Sequence, residues 1–336
     1  MKVITFGEVM LRLSPPGQHR FSQATTFDMA FGGTEANVAV ALAQWGVDVH
    51  HITSFPTNAL GDAAVAHLRK AGVDTRYVQR GAGRMGLYFL EHGAASRASQ
   101  VVYDRADSAF SRLTADSVDW ETVFVDADGV VADWFHWTGI TPAISAGTAA
   151  CLLKGIETAN RLGVPVSGDP VYRSNLWQYG QTPQDVLPEL TAGCTLLLGN
   201  AGLFSYLYGI NATTNEAAAQ EMMTRFPRLR YVTDTVRESV SASHNRLSAW
   251  LYDGVETVST PLFDVQPIID RIGTGDAFMA GLIYGLLHGE QSLTEALTFG
   301  VAASVLKHTI PGDVLLATPS EIDDIAAGNL SGKIKR

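Results

Sequence analysis

Short runs of β-branched and aromatic residues, each followed by a stretch with helical spacing, recur along the chain and limit what it can fold into. The runs are Lys2–Phe6, Val49–Thr53, Phe135–Thr138, Val164–Ser167, Thr195–Leu198 and Arg230–Thr233. Helices are predicted over Glu35–Trp45, Asp62–Ala71, Ser145–Leu162, Glu216–Arg225, Asp276–Leu287 and Leu293–Lys307. Gly46, Gly72 and Gly163 stand just past three of these ends, where a left-handed C-cap favours glycine. Strand alternating with helix requires a mostly parallel sheet with helices on both faces, an α/β fold. With 336 residues, 46% hydrophobic and 17% charged, the chain can bury a sizeable core, and intrinsic disorder is excluded.

Two regions break the rhythm. From Leu11 to Phe31 come Pro15-Pro16-Gly17 and then RFSQATTFDMAF; from Met85 to Asp104 come MGLYFLEHG, a Ser/Ala-rich turn and QVVYDRAD. Alternating residues bounded by turn chemistry predict strands outside the main sheet, forming a small β lid over 11–31 and 85–110. The remaining segments, 1–10, 32–84 and 111–330, form one discontinuous α/β body, since no repeat or Pro/Ser-rich linker marks a second independent domain.

Thirty-four acidic against 24 basic side chains give a net charge of −10, which argues against sequence-independent nucleic-acid binding. Cys151 and Cys194 show neither metal-ligand spacing nor a disulfide framework, pointing to a reducing compartment. The opening MKVITFGEVML is interrupted by Gly7 and Glu8, unlike a secretory leader, and no apolar run reaches the ~18 residues of a spanning helix. A soluble, cytoplasmic protein without a membrane partner is expected.

The strongest local signal is Asp270-Arg271-Ile272-Gly273-Thr274-Gly275-Asp276, leading into the apolar helix AFMAGLIYGLL. Its glycines let backbone amides approach an anion, and the helix start adds partial positive charge, so Thr274, Gly275 and Asp276 can cradle a phosphoryl group. The Asp276 carboxylate then stands where it can accept a proton from an attacking hydroxyl. The same string, alone, also serves as a glycine turn with a capping aspartate. A second signal, Phe31-Gly32-Gly33-Thr34-Glu35-Ala36-Asn37, runs into the small-residue helix NVAVALAQWG. Gly33 leaves backbone open to a ligand hydroxyl and Asn37 offers donor and acceptor, although tight helix packing would use the same residues. Neither segment has the spacing of a Walker-type phosphate loop or a dinucleotide fingerprint.

An early GGxxxN helix entry with a late D-x-x-G-x-G-D helix entry resembles the ribokinase-like (PfkB) carbohydrate kinases over nearly the whole chain. Segments including GEVMLRL, YDRADSA, DWFHWTGITPA, YRSNLW and DRIGTGDAF are most similar to the 2-keto-3-deoxygluconate kinases. The resemblance implies a three-layer α/β/α fold and transfer of the ATP γ-phosphoryl group to the 6-hydroxyl of 2-keto-3-deoxygluconate. It implies Asp276 as base, Gly273, Thr274 and Gly275 as anion hole, and Gly33, Asn37, Tyr88, Tyr103, Arg105 and Arg173 at the sugar acid. Arginine forks suit the substrate carboxylate, although Arg105 or Arg173 could instead pair with Asp104 or Asp169. Asn200 and Arg237 are expected near ATP, Arg237 in a nucleotide-binding loop. Mg²⁺ and a homodimer paired through lid strands are further implications, and carbonyls near Ile310–Asp313 could hold a monovalent cation.

One departure from the family pattern stands out: Leu203 occupies the glutamate position of Asn-x-x-Glu, in Gly199-Asn200-Ala201-Gly202-Leu203. Leucine cannot hold magnesium waters, so the metal ligands are left unassigned and a catalytically silent, sugar-acid-binding homologue is the alternative in a different class. Within the kinases, the alternatives are fructose, another ketose or 2-keto-3-deoxygalactonate. Relatives also often place asparagine where Val171 stands. Asp126-Ala127-Asp128-Gly129 is read as a turn, His50, His51 and His308 as structural, Trp134 and Trp137 as core, and the closing GKIKR as a solvated tail.

Overall fold

The alternating runs assemble into a nine-stranded sheet in the computed structural model, which describes residues 1–289 and 292–329. In chain order the strands are β1 (Lys2–Phe6), β2 (Met10–Ser14), β3 (Asp28–Gly32), β4 (Asp48–Ile52), β5 (Ser54–Pro56), β6 (Gln79–Gly81), β7 (Leu87–Glu91), β8 (Gln100–Asp104), β9 (Trp134–Thr138), β10 (Val166–Asp169), β11 (Leu196–Leu198), β12 (Tyr231–Ser241), β13 (His244–Tyr252), β14 (Thr257–Ser259) and β15 (Phe263–Val265). The α-helices are α1 (Thr34–Gln44), α2 (Ala59–Lys70), α3 (Trp120–Phe124), α4 (Ile140–Ile144), α5 (Ala146–Leu162), α6 (Pro183–Ala192), α7 (Ala201–Tyr208), α8 (Asn215–Arg225), α9 (Thr274–His288), α10 (Leu293–Lys307) and α11 (Pro319–Ala326).

The main sheet has the order β14-β13-β12-β11-β10-β9-β1-β4, with β15 also paired to β13. Neighbours from β4 to β12 are parallel; β13 is antiparallel to β12, β14 and β15. β1 and β9 are buried along their whole length, which is why KVITF and WFHWT read as nearly continuous apolar runs. One face packs against α1, α9 and α10 through Val38, Leu42, Phe278, Leu282 and Phe299. The other packs against α5 to α8 through Leu152, Ile156, Leu187, Phe204 and Met222. Trp134 and Trp137 lie in this core, and Gly46, Gly72 and Gly163 have φ of 85°, 88° and 76°, as their places after helix ends predicted.

Several boundaries differ from the predicted ones. α2 starts at Ala59 because Asn58 Oδ1 accepts from the Leu60 and Gly61 amides, a cap upstream of the predicted start at Asp62. Of the run Arg230–Thr233, Val232 and Thr233 form the buried start of β12, the first strand of a long hairpin, β12–β13; the second half of β12 is solvent-exposed and carries little apolar pattern. α6 and α11 escape a reading by periodicity yet open on capping boxes, Thr182/Asp185 and Thr318/Glu321, each with proline in the first turn. The basic tail GKIKR lies outside the described residues.

The two irregular regions form a separate four-stranded sheet, β3-β2-β7-β8. Its edges differ from the expected segments: Met10 and Gly32 belong to it, whereas Phe110 lies in the main core against Phe6 at 5.3 Å between ring centroids. The sheet exposes Met29, Val102 and Tyr103. One buried cation locks it to the body. Arg12 on β2 places Nη1 2.7 Å from Asp313 Oδ1 and Nη2 2.7 Å from Asp270 Oδ2, with all three side chains almost fully enclosed. Replacing Arg12 by alanine leaves two buried carboxylates without their cation, so Arg12→Ala should lose about 3–5 kcal/mol of stability. Urea denaturation followed by circular dichroism checks this, a change under about 1 kcal/mol being the contrary result.

Candidate active site

The turn that precedes α9 is built by its own side chains. Asp270 Oδ1 accepts from the Ile272 amide at 3.0 Å, and Thr274 Oγ1 donates to the Arg271 carbonyl at 3.0 Å. Gly273 has φ 78°, and a Cβ there would lie 1.8 Å from the Asp313 carbonyl oxygen, so only glycine fits. The first intrahelical bond runs from the Ala277 amide to the Gly273 carbonyl at 2.9 Å. The amides of Thr274, Gly275 and Asp276 therefore precede the helical ladder, and among the described residues no side chain caps them. A Cβ on Gly275 would meet open space, the cavity itself. Free amides at a helix start form an anion-binding surface.

The entry to α1 meets this turn. Asn37 Oδ1 accepts from the Gly33 amide at 3.3 Å, and Asn37 Nδ2 donates to Asp276 Oδ2 at 2.6 Å. Burial pushes the Asp276 carboxyl up to about 8, with Asp169, Glu35 and Asp313 adding repulsion and the Asn37 bond opposing it. Glu35 is itself buried and raised by desolvation; it accepts from Thr138 Oγ1 at 2.9 Å and Thr141 Oγ1 at 2.7 Å, tying α1 to β9 and α4.

A cavity of about 610 Å³ opens where β10 and β11 end, with the four-stranded sheet along one side. Open α/β sheets bind ligands beyond the carboxyl ends of their strands. Its walls bring together Gly33, Asn37, Tyr88, Tyr103, Arg105 and Arg173, and also Asn200, Arg237 and Gly273 to Asp276. All the predicted site residues thus share one space. A neighbouring cavity of about 770 Å³ touches Tyr103, Arg105 and Arg173 but not the α9 turn.

Within the main cavity Tyr88 and Tyr103 have ring centroids 6.1 Å apart, and the Tyr88 hydroxyl donates to Asp313 Oδ2. Arg105 does not pair with Asp104, which binds Arg84 at 2.6 Å; its Nε donates to Glu8 Oε2 at 2.9 Å. Among the described residues Arg173 makes no ion pair with Asp169, and its Nη1 donates to the Tyr172 carbonyl at 3.4 Å. Arg237 lies in strand β12, not in a loop, because the hairpin continues past Thr233. Asn200 caps α7 by accepting from the Leu203 amide at 3.1 Å and donates to Asp234 Oδ2 at 2.6 Å.

Glu8, Asp169, Asp234 and Asp313 also line the cavity and were not predicted as site residues. Asp169 could have been found from its place ending the run VSGD at a parallel strand's carboxyl end. Burial, then the Asp234 charge, pushes Asp169 up to about 7; Asp234 is raised by burial. Among the described residues no group of three or more His, Cys, Asp or Glu is placed to hold a metal. The oxygen donors Asp234 and Asp169 nevertheless fit a magnesium held mainly by phosphates, which needs one or two carboxylates from protein. At the Ile310–Asp313 loop, the Ile310 carbonyl accepts from the buried Lys307 side chain at 2.9 Å. His51 bonds Thr5 and His308 the Ser304 carbonyl, structural roles, and the Asp126 carboxylate closes its turn on the Asp128 and Val130 amides.

Comparison with known proteins identifies the family. Residues 1–318 match the pfkB family of carbohydrate kinases. A 2-dehydro-3-deoxygalactonokinase of Haloferax volcanii is 31% identical over 333 residues, covering 98% of both chains. The crystal structure of a 2-dehydro-3-deoxygluconokinase of Thermotoga maritima superposes with a TM-score of 0.91 at 42% identity, covering 98% of each chain. A 2-dehydro-3-deoxygluconokinase of Bacillus subtilis is 26% identical over 321 residues, covering 94% of this chain and 91% of that one. The chain belongs to the pfkB family of carbohydrate kinases and has its ribokinase-like fold. It is an ATP-dependent carbohydrate kinase. No described helix is long and apolar enough to cross a membrane.

The raised Asp276 carboxyl has a signature in stability. Its folded value of about 8 exceeds the ordinary 3.8, so the folded chain holds this proton more tightly than the unfolded one. That contribution is complete below about pH 4 and is lost as pH rises through about 8. Asp276→Asn cannot ionise and should melt above the wild type at pH 8–9, the gap closing toward pH 4. Calorimetric melting across this range tests it; a gap independent of pH would contradict the assignment.

Proposed function

We infer that the protein phosphorylates 2-keto-3-deoxygluconate on its 6-hydroxyl at the expense of ATP. The observation that carries this reading is the meeting, in one cavity, of the α9 anion-binding turn and Asp276 with the guanidinium groups of Arg105 and Arg173. A keto acid has a carboxylate that neutral hexoses lack, and planar guanidinium forks suit it. The relatives from Thermotoga maritima and Bacillus subtilis carry that substrate in their names. The galacto epimer is the second reading, favoured by the Haloferax relative.

In this mechanism Tyr88 and Tyr103 flank the sugar chain while Gly33 and Asn37 bond its hydroxyls. Asn37 holds one oxygen of Asp276, leaving the other to take the proton of the 6-hydroxyl. The substrate oxygen bonds to the γ-phosphorus, the bond to the bridging oxygen breaks, and ADP departs. The amides of Thr274, Gly275 and Asp276 stabilise the charge spread over the transferring group. Asn200 and Arg237 stand on the nucleotide side. Asp234 and Asp169 would hold the waters of a magnesium ion, which neutralises phosphate charge when bound. The four-stranded sheet acts as a lid that excludes water, and its exposed Met29, Val102 and Tyr103 support pairing of two subunits through this surface.

Coupled ADP release tests the chemistry. Asp276→Asn should lower kcat by about 10²–10⁴-fold, the range for a positioned base, and wild-type kcat/KM should climb with pH and level off above about 8 as the carboxyl ionises. ADP release that needs no sugar acid, or survives the substitution, contradicts the reading. Arg173→Ala should reduce kcat/KM for the keto acid at least about tenfold more than for fructose; equal losses would remove the carboxylate clamp.

A further inference from the structure

We propose that Arg237 and Arg271 form a guanidinium clamp for the phosphates of the nucleotide that follow the transferring one. The inference rests on the kinase reading and extends it to a residue, Arg271, to which the sequence motif itself assigns no role. Both side chains line the main cavity. Arg271 is two residues before Gly273, so its backbone is within about 7 Å of the anion-binding turn. The neighbours of Arg271 point the other way: Asp270 grips Arg12, and Ile272 packs on Met10, Tyr88 and Leu90 of the four-stranded sheet. Arg271 turns instead toward the β12–β13 hairpin, where Nη2 donates to the Ser241 carbonyl and, at 3.0 Å, to Asn245 Oδ1. Its guanidinium is therefore held on the hairpin side of the cavity.

Charge decides what fits there. Arg12, Arg84, Arg105 and Arg246 each pair with carboxylates. Arg271 and Arg237 have none among the described residues: the acceptors of Arg271 are neutral, its enclosed Nε has no partner, and Glu238 beside Arg237 is engaged by Arg246. The two cations also repel one another, which lowers the proton affinity of Arg271 beyond the effect of burial. Nearby His308 is buried and pushed down to about 4, so it stays neutral and contributes no competing charge. Two uncompensated guanidinium groups beside a helix start are matched by a polyanion longer than a single phosphoryl group. With leucine at position 203, fixed arginine charge carries more of the phosphate neutralisation that a metal-organising carboxylate would otherwise assist.

Isothermal titration of wild type, Arg237→Gln and Arg271→Gln with ATP, tripolyphosphate, adenosine and 2-keto-3-deoxygluconate, each with and without EDTA, tests the clamp. Each substitution should weaken ATP and tripolyphosphate about tenfold, with or without EDTA, and leave adenosine and the keto acid unchanged. Unchanged ATP affinity in both variants overturns the clamp, as does an equal loss for adenosine or the keto acid. Arg237 is exposed, so Arg237→Gln keeps the test decisive if Arg271→Gln fails to fold. A wild type that phosphorylates the sugar acid while both variants bind ATP normally sinks the clamp alone; a wild type that binds no ATP sinks the kinase reading with it.

Discussion

A single buried guanidinium joins three parts of the chain that must agree for the site to exist. Arg12 comes from the four-stranded sheet, Asp270 from the turn before α9, and Asp313 from the loop after α10. Each carboxylate does more than neutralise it. Asp270 accepts from the Ile272 and Gly312 amides, both at 3.0 Å, and so shapes the turn and holds the loop beside it. Asp313 accepts from the Tyr88 hydroxyl on β7 and places its backbone carbonyl where Gly273 can have no side chain. Gly32 is subject to the same carboxylate, since a Cβ there would lie 2.1 Å from Asp313 Oδ2. Burying such a network yields little net stability over an apolar packing of the same volume. Its consequence here is geometric: Tyr88 and the anion-binding turn are positioned by the same charges.

A second junction, Asn37 with Asp276, brings two helix starts to one point. α1 enters from the four-stranded sheet and α9 from the far end of the chain, and they pack along their lengths. Glu35 fixes the first of these to the strand ends through Thr138 and Thr141. The aligned dipoles favour an anion at the shared mouth, while the carboxylate of Asp276 is kept there at an electrostatic cost that its raised proton affinity records. The free enzyme thus holds a stronger base than an exposed aspartate.

Legibility in the sequence followed burial. Strands enclosed on both faces, such as KVITF and WFHWT, were readable because both faces must be apolar, and the two glycine-bearing helix entries because their backbone geometry permits few residues. The hairpin β12–β13 was half visible: Tyr231 to Thr233 sit in the sheet, while Val236 to Val240 extend into solvent where no periodicity is enforced. Side-chain partners were least legible. Arg105 meets Glu8 across 97 positions and Arg12 meets Asp313 across 301, and no local pattern encodes such pairings. Arg271 stood inside the most conspicuous motif of the chain, yet its direction depends on Ser241 and Asn245, which only the folded hairpin brings near.

How a chain of net charge −10 binds two anions follows from this arrangement. The cavity wall itself carries Asp169, Asp234 and Asp276, all with raised proton affinity chiefly because burial penalises ionisation. Positive potential must therefore be local. Backbone amides at the α9 start supply it, together with the guanidinium groups of Arg105, Arg173, Arg237 and Arg271 along the cavity wall. Charges enclosed in a cavity are screened by salt far less than exposed ones, so a diffuse basic face is unnecessary.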